Sequence, residues 1–377
     1  MVQHTARLVA EAVILAAVGL VVVGPPARAA TAQRVSTVVP AVITRGVGAR
    51  IVVTARPIRK GRVVRVRFRA VGGSWSRLGS ARERGDGTAV IPFEIGRSGR
   101  YQVQATVLRY RALPSVRGRI KAVKVVPVPA PVVIAHRGAA ASVPENTMPS
   151  FLRALDRGAD RLETDVQETA DGVLVLFHDR GLARTTDVAR KFPARRQDPL
   201  TTFTYAELAT LDVGSWFDLV WAGTRIATFD EVLALVRERG VGLLAESKFP
   251  DASPGVESRM LAHVRDAGLV STRSTERVVF ESFDMASLQR FRELDPDANV
   301  SPILTTFPTE VSSLAWADSI TLHAPETSAA NVSAAHALGL EINVWTPDTA
   351  TSVAAYADRG VDAVITNRTA LAVDVVR

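Results

Sequence analysis

The sequence predicts a two-domain protein in which an all-β sandwich precedes an α/β barrel of the TIM-like (βα)8 type. Between Ser36 and Val126, apolar and polar residues alternate with period two and turn signals separate the runs, which is typical of an antiparallel β-sandwich. From residue 132 onward, short apolar runs alternate with amphipathic helical patterns, which is typical of a parallel βα barrel. A chain of 377 residues is long enough for both domains.

Residues 1–29 are predicted to be a secretory signal peptide. One early cation, Arg7, precedes an apolar run from Val13 to Val23, and the small-residue sequence Ala27-Arg28-Ala29-Ala30 places cleavage near Ala29. The run of about 11 apolar residues is shorter than the roughly 20 residues of a membrane-spanning helix. A retained membrane anchor is the alternative. We therefore expect a secreted or extracytoplasmic protein.

The predicted sandwich domain, residues 30–125, differs in charge from the rest of the chain. Residues 31–130 carry 21 Lys or Arg against three acidic residues, a balance of +18, whereas residues 131–377 carry 23 against 34, a balance of −11. Opposite charges predict separate roles for the two domains. Between the domains, the Pro-rich residues 126–131 predict a stiff, extended linker.

Arg65, Arg67 and Arg69 alternate along one predicted strand of the basic domain, so they share one face. This stripe is a candidate surface for an anionic cell-wall polymer or a lipid surface, and a solvated Arg-rich face is the alternative. The sequence contains no recognisable nucleic-acid motif, and predicted export argues against a nucleic-acid partner. The stretch from Gly85 to Val107 resembles the late strands of bacterial immunoglobulin-like or fibronectin-like modules. We therefore expect an immunoglobulin-like sandwich.

The predicted barrel domain, residues 132–377, contains nine candidate strands rather than eight. The turn signal around Asp171 separates the second strand from the third, and it is too short for a parallel crossover. We therefore expect a short antiparallel hairpin that folds Asp165 back opposite Phe177 and His178.

Functional side chains of a parallel barrel lie at the carboxyl ends of its strands. The residues at those positions are polar or aromatic: His136, Arg137, Glu163, Asp165, His178, Glu246, Lys248 and Trp345. Residues two apart on a strand share a face, which places Glu163 beside Asp165. Three converging carboxylates, in a chain without cysteine, predict a site for one divalent cation, Ca2+ or Mg2+. His136 and His178 suit general acid/base catalysis near neutral pH.

Eight short motifs occur along the barrel domain. They are Ile134 to Gly138, Pro144 to Thr147, Glu163 to Val166, Phe177 to Asp179, Leu211 to Phe217, Glu246 to Lys248, Ser282 to Asp284 and Val344 to Thr346. Their order and spacing resemble those of the glycerophosphodiester phosphodiesterase family. The resemblance covers nearly all of residues 132–370 and does not cover the basic domain.

The resemblance implies a distorted βα barrel that hydrolyses small-molecule glycerophosphodiesters to sn-glycerol 3-phosphate and an alcohol. It implies a role for each matched residue: Glu163, Asp165 and Glu246 as metal ligands, His136 and His178 as the acid/base pair, Arg137 and Lys248 as phosphate-binding cations, and Phe283 and Trp345 as apolar walls of the cleft. Three positions depart from the family pattern: Asn367 replaces a usual Asp, Ala227 a common Pro, and Ser247 an aliphatic residue. These departures affect fine geometry and substrate shape and remove no catalytic group.

The sequence leaves three other functions open. A phospholipase D-like or lysophospholipase D enzyme on the same barrel would act on intact lipids and need an apolar rim. Residues 186–228 are too long for a simple βα loop, predict an insertion over the cleft, and contain the apolar run Trp216 to Trp221. Hydrolysis of cell-wall teichoic acid would use a glycerophosphate polymer that the basic domain could hold. A non-catalytic cell-surface binding protein would have lost a ligand or a histidine, and none is lost.

Overall fold

The computed structural model describes residues 33–44, 48–269 and 278–377. The chain divides between Val128 and Pro129 into two compact units, which we call the N-terminal unit and the barrel unit. The predicted signal peptide, residues 1–29, lies outside the described residues. Among the residues described, no helix combines the length and apolar character that crossing a membrane requires.

The N-terminal unit contains two β-sheets. Its described strands are β1 (Arg34–Val38), β2 (Val42–Thr44), β3 (Ala49–Arg56), β4 (Val63–Ala70), β5 (Ser76–Arg82), β6 (Thr88–Phe93), β7 (Gly99–Val107), β8 (Val116–Arg117) and β9 (Lys121–Val126). Strands β1, β3 and β6 form one sheet, and β2, β9, β7, β4 and β5 form the other, with β8 paired to β7. Alternate residues of both sheets build one apolar core. The all-β prediction is confirmed as far as these sheets go, and the immunoglobulin-like assignment stays a prediction.

A buried ion pair fixes the connection between β3 and β4. Arg62 is 1% exposed, and its Nε donates to Glu83 Oε2 at 2.8 Å. Glu83 Oε1 accepts from the backbone amide of Arg59 at 2.7 Å, and Arg62 also donates to the Pro57 carbonyl at 3.1 Å. Buried charges persist only when they are paired and hydrogen-bonded. Glu83 therefore holds both ends of this connection.

The barrel unit contains eight parallel strands and one antiparallel strand within the described ranges. These are β10 (Val132–Ala135), β11 (Arg161–Glu168), β12 (Leu174–Leu176), β13 (Gly242–Ser247), β14 (Val278–Ser282), β15 (Val300–Leu304), β16 (Ser319–His323), β17 (Glu341–Trp345) and β18 (Ala363–Thr366). The parallel strands run in the order β10, β18, β17, β16, β15, β14, β13, β11, and β10 pairs with β11 to close the barrel. The predicted parallel barrel is confirmed.

Apart from two short helices within residues 186–228, the helices of the barrel unit cover the outside of the barrel. The helices of the unit are α1 (Met148–Asp156), α2 (Val188–Lys191), α3 (Tyr205–Leu208), α4 (Phe229–Arg239), α5 (Val256–Asp266), α6 (Met285–Leu294), α7 (Ala329–His336), α8 (Ala350–Arg359) and α9 (Thr369–Val376). Helix α4 shows how the sequence sets their ends: Thr228 and Glu231 form a capping box, and Gly240, with φ of 66°, ends the helix. Apolar side chains then pack the helices on the strands, as in the stacked pair of Phe280 and Phe291, whose ring centroids are 4.2 Å apart.

Strand β12 forms the predicted hairpin with β11. The two strands pair antiparallel, with Val166 opposite Leu176. The backbone amide of Phe177 donates to the Asp165 carbonyl at 2.9 Å, so His178 follows directly beside Asp165. The hairpin is confirmed, and it brings a histidine to the carboxylates without a helical crossover.

Residues 186–228 carry α2, α3 and several short 3-10 turns around a small apolar core. In the second half of this segment, the Asp212 carboxylate accepts from the backbone amides of Gly214 and Gly223, each at 2.8 Å. It also accepts from the Ser215 hydroxyl at 2.6 Å. Asp212 thereby closes a loop over residues 214–223.

Replacement of Glu83 by Ala is expected to destabilise the N-terminal unit by about 3 to 5 kcal/mol, because Arg62 would remain buried without its partner. Hydrogen exchange of β3, β4 and β6 in the full-length protein measures this change. Glu94→Ala removes an exposed carboxylate of the same unit and is the matched control. Equal exchange rates in the two variants would contradict the importance of the buried pair.

Candidate active site

The carboxyl ends of the barrel strands bring three buried carboxylates together. Asp165 on β11 lies directly beside Glu246 on β13 in the parallel register, and Glu163 lies two residues before Asp165 on the same face. One oxygen from each of these three side chains lies within 4.8 Å of the other two, and all three residues are buried. Strand geometry therefore builds the predicted acidic triad of Glu163, Asp165 and Glu246.

The turn after β10 directs a backbone amide at Glu163. Arg137 has φ of 53°, and its amide donates to Glu163 Oε2 at 2.8 Å. Gly138 follows with φ of 84°, and a Cβ at this position would lie 2.7 Å from the backbone carbonyl carbon of Ser150. Only glycine fits this close approach of α1 to the turn. The Arg137-Gly138 turn thus helps to position the Glu163 carboxylate of the triad.

An asparagine holds Asp165 in place. Asn146 donates from Nδ2 to Asp165 Oδ2 at 2.7 Å, and its Oδ1 accepts from the Thr164 hydroxyl at 2.7 Å. Lys248 Nζ lies 3.3 Å from Asp165 Oδ1 and donates to both carboxylate oxygens of Glu246 at 2.9 Å. Arg137 Nε lies 3.1 Å from Asp165 Oδ2. Asp165 is thus the centre of the polar network.

The three carboxylates of the triad, if all were ionised, would carry one more charge than the Arg137 and Lys248 cations neutralise. Burial and the neighbouring Asp165 carboxylate raise the pKa of Glu163 well above its usual value and raise the pKa of Glu246 to about 8. Burial alone would raise the pKa of Asp165 too, but the Arg137 guanidinium and the Lys248 ammonium hold it well below its usual value.

These carboxylates fit a hard divalent cation. Asp165 Oδ1 is buried, and Lys248 Nζ, which lies 3.3 Å from it, does not have the geometry of a hydrogen bond. An all-oxygen donor set whose carboxylates ionise when a cation binds is the environment that such cations prefer. Glu163, Asp165 and Glu246 are therefore the residues that could hold the metal.

A fourth buried carboxyl, Glu281, lies beside Glu246 on the neighbouring strand β14. It accepts from the Thr321 hydroxyl at 2.9 Å, and burial raises its pKa to about 8. It does not belong to the group of oxygens that approach one another within 4.8 Å. We therefore place Glu281 beside the triad as a supporting residue and not as a fourth ligand.

His136 is held by a neutral partner. Its Nδ1 lies 2.7 Å from Asn367 Oδ1, while Asn367 Nδ2 donates to Asp348 Oδ2 at 2.6 Å. Because the amide nitrogen must face the carboxylate, the amide oxygen faces the imidazole, and Nδ1 carries the proton. Nε2 then has a free lone pair, 4.0 Å from Glu163 Oε2. Burial and the Arg137 cation lower the pKa of His136 to about 4, so it is neutral near pH 7.

His178 is held by a charged partner. Its Nδ1 lies 2.7 Å from Asp179 Oδ1, and Arg184 Nε donates to Asp179 Oδ2 at 2.5 Å. Arg184 also donates to Glu145 at 2.7 Å, and Glu145 accepts from Arg137 Nη1 at 3.1 Å. Burial lowers the pKa of His178, although the Asp165 carboxylate opposes that change. The two predicted histidines thus have different hydrogen-bond partners, an amide and a carboxylate.

Aromatic side chains form one wall beside Lys248. The rings of Phe283 and Trp345 meet edge to face at 5.9 Å, and Phe283 is 48% exposed. Lys248 Nζ lies 5.7 Å from the Phe283 ring centroid, and the His323 ring lies 4.9 Å from that of Trp345. The predicted aromatic residues therefore lie next to the predicted phosphate-binding lysine.

The insertion adds exposed apolar residues near the His178 network. Trp216 is 38% exposed, and Leu219 and Val220 are 79% and 76% exposed. The Arg184 guanidinium lies 5.9 Å from the Trp216 ring centroid. The segment that the sequence singled out as an apolar rim is thus exposed and lies next to a residue of the network.

Sequence reasoning missed several residues of the site. Asn146 and Glu145 belong to a motif that was recognised without a role, and Asp348 and Glu281 were not singled out. Among the other histidines, His263 Nδ1 lies 2.6 Å from Asp230 Oδ1 and His336 Nε2 lies 2.8 Å from Asp362 Oδ2, which are structural hydrogen bonds. His323 differs, because it lies against Trp345.

Comparison with known proteins covers the barrel unit. Residues 136–371 match the model of the glycerophosphoryl diester phosphodiesterase family. A glycerophosphodiester phosphodiesterase of Caldanaerobacter subterraneus subsp. tengcongensis is 35% identical over 169 residues, 45% of this chain and 64% of that protein. Bacillus subtilis YhdW is 30% identical over 241 residues, 62% of this chain and 93% of that protein. An Oleispira antarctica phosphodiesterase, solved in complex with the product sn-glycerol-3-phosphate, is 26% identical with a TM-score of 0.55, covering 65% and 97% of the chains.

An eight-stranded parallel barrel with polar residues gathered at its carboxyl end defines the class of TIM-barrel enzymes. Within that class, the chain belongs to the glycerophosphoryl diester phosphodiesterase family, because the family model matches more than half of it. The matched range contains every site residue that the sequence predicted. The chain spans about two thirds of the length of the Caldanaerobacter protein and nearly all of YhdW.

Saturating Ca2+ or Mg2+ is expected to stabilise the barrel unit, since a ligand at a hundredfold its Kd adds about 2.7 kcal/mol. Thermal unfolding with and without the ion measures the rise in Tm. Glu246→Gln should abolish the rise because it removes a ligand charge. Glu281→Gln is the matched control and should keep it. A rise of equal size in Glu246→Gln would exclude Glu246 as a ligand.

Proposed function

We propose that the protein is a metal-dependent phosphodiesterase that hydrolyses glycerophosphodiesters to sn-glycerol 3-phosphate and an alcohol. The observation that carries the proposal is the convergence of the acidic triad, two cations and two oriented histidines at one end of the barrel. Membership of the family and the product bound to the Oleispira relative support the same reaction. The predicted signal peptide supports a secreted or extracytoplasmic location for it.

The cations and the metal site supply charge for a phosphodiester anion. Glu163, Asp165 and Glu246 would hold the divalent cation, which we propose to be Ca2+ or Mg2+ because every donor is oxygen. When bound, it stabilises negative charge on the phosphoryl oxygens. Arg137 and Lys248 add two positive groups at the same end of the barrel and hold the phosphate.

The partners of the two histidines suggest their roles. His136 serves as the general base, because its Nδ1–H faces Asn367 and leaves Nε2 to accept a proton from water or from the glycerol 2-hydroxyl. If the 2-hydroxyl attacks, a cyclic glycerophosphate forms as the alcohol leaves, and water then opens it to sn-glycerol 3-phosphate. His178 serves as the general acid, because the Asp179 carboxylate stabilises its imidazolium form. The anionic substrate adds negative charge beside His178 and favours the protonated form further. The proton then passes from His178 to the leaving alkoxide.

Two other substrates retain specific support. The exposed Trp216, Leu219 and Val220 favour a lipid with its acyl chain attached, as in phospholipase D-like or lysophospholipase D activity. The basic N-terminal unit favours a glycerophosphate polymer such as teichoic acid. Their rates relative to glycerophosphocholine, measured with one enzyme preparation, rank the three substrate classes. A non-catalytic surface-binding protein has the least support, because the triad and both histidines are present.

The purified protein is expected to release glycerol 3-phosphate from glycerophosphocholine, to lose this activity with chelator, and to regain it with Ca2+ or Mg2+. His136→Ala and His178→Ala should each lower kcat by at least about a hundredfold, as loss of an acid or base group requires. His263→Ala, which removes a histidine paired with Asp230, is the control. Near-full activity in either active-site variant would remove that residue from the mechanism.

Asn367→Asp is expected to lower kcat by about tenfold or more, because a second carboxylate would face Asp348 and disturb the partner of His136. The exchange variant Asp348→Asn/Asn367→Asp restores one amide and one carboxylate, so it should recover most of the activity. Nitrogen-15 NMR of the His136 ring measures whether Nδ1 keeps the proton. Equal activity of the single variant and the wild type would exclude a positioning role for Asn367.

A further inference from the structure

The outer face of the larger sheet of the N-terminal unit is lined with cations. On β4, buried Val64 and Val66 alternate with Arg65, Arg67 and Arg69, so the three arginines point away from the core. This confirms that they share a face. Residues opposite one another on neighbouring strands also share a face. The strand register therefore determines which side chains lie beside the three arginines.

The neighbouring strands add further cations to this face. Arg67 lies opposite Arg77 on β5, and Val63 lies opposite Arg82. On the other side, Arg69 lies opposite Gln102 of β7, which places Arg100 on the same face, and Arg100 lies opposite Lys124 on β9. The positive surface therefore extends over four adjacent strands.

No acidic residue of the described N-terminal unit shares this face. Glu83 is buried against Arg62, and Asp86 accepts from the Thr88 amide and hydroxyl in the turn before β6. Glu94 follows β6, in the smaller sheet. The cations on the face therefore remain without neutralising carboxylates in the described part of the chain.

Two of these guanidinium groups are held by uncharged partners. Arg67 and Arg69 lie over the Trp75 ring, at 4.3 and 4.7 Å from its centroid. Gln104 accepts from Arg67 Nη2 at 2.7 Å, and Gln102 accepts from Arg69 Nε at 2.8 Å. Stacking on Trp75 and the hydrogen bonds to the amides fix the orientation of the two guanidinium groups without neutralising their charge. Further N–H donors of each group remain for an anion.

We propose that this face binds a linear polyanion of repeating glycerophosphodiester units. The choice of glycerophosphodiester as the repeating unit rests on the proposed function, because this unit contains the phosphodiester bond that the barrel unit would cleave. Alternate residues of β4 are about 7 Å apart, a spacing similar to that of successive phosphates joined by three-carbon units. A linear polymer can follow such a row, with one guanidinium to each phosphate.

The face suits a polymer better than a lipid surface. Membrane-surface binding usually combines cations with apolar side chains that enter the bilayer. The exposed valines of this sheet, Val42 opposite Lys124 on the edge strand β2 and Val71 after the end of β4, lie at its margins. Beside the arginines, the Trp75 ring is stacked against Arg67 and Arg69 and is only partly exposed. Retention of the polymer by one unit would raise its concentration at the catalytic unit of the same chain.

The test measures binding of the full-length protein to purified poly(glycerol phosphate) in the presence of chelator. Arg65→Gln/Arg67→Gln/Arg69→Gln is expected to weaken binding at least about tenfold and to lower the slope of log Kd against log salt by about 2. The control, Arg34→Gln/Arg50→Gln/Arg56→Gln, removes the same charge from exposed positions on the smaller sheet and should bind as the wild type does. Trp75→Ala keeps every charge and should weaken binding to a smaller extent. Hydrogen exchange of β4 and β7 verifies that each variant is folded.

Each result bears on one proposal. Equal weakening in both triple variants, or no weakening in either, would overturn the binding face. Capture of phosphatidylglycerol vesicles without binding of the polymer would overturn the polymer in favour of a membrane surface. Turnover of glycerophosphocholine should be unchanged in the face variant, while turnover of the polymer falls. Failure of the wild type to cleave glycerophosphocholine would count against the proposed function and leave the binding result intact.

Discussion

The rest of the barrel unit depends on the cost of burying ionisable groups of like charge close to one another. Three carboxylates meet at the carboxyl ends of β11 and β13, and two cations lie among them. Charge of this kind is costly to bury, and each carboxylate accepts a hydrogen bond. The donors are a backbone amide to Glu163, an asparagine to Asp165 and a lysine to Glu246. The turn at Arg137, which has a positive φ, directs that backbone amide at Glu163.

Uncharged amides orient charged or titratable side chains in both units. Asn146 orients Asp165, and Asn367 orients His136, without adding charge to the barrel. In the N-terminal unit, Gln102 and Gln104 orient arginines without neutralising them. An amide gives direction to a side chain and leaves its charge available for a ligand.

The sequence was sufficient to predict the parallel barrel and the members of the triad. Period-two and helical patterns have a fixed relation to strands and helices, and barrel strands all end at the same face. The hairpin at β12 was predictable because a connection as short as that around Asp171 cannot cross over between parallel strands. Glu163, Asp165 and His178 followed from these rules.

The supporting residues were beyond local patterns. Asn146, which has φ of 55° in the turn before α1, donates to Asp165. Glu281 on β14 accepts from Thr321 on β16, with β15 between these two strands. Asp348 acts through Asn367, which lies 19 residues later in the chain. In each case the role depends on which strands become neighbours, and no spacing in the sequence encodes that. Trp75 was missed for the same reason, since its partners lie on another strand.

Asp212 uncouples the exposed apolar surface of residues 214–223 from the stability of the rest of the barrel unit. Its carboxylate closes the loop over residues 214–223 through Gly214, Ser215 and Gly223. The exposed Trp216, Leu219 and Val220 therefore sit on a loop whose ends are fixed independently of its middle. Because these side chains are exposed and Asp212 fixes the ends of the loop, the surface that the loop presents to solvent can change in size and polarity at little cost in the free energy of unfolding.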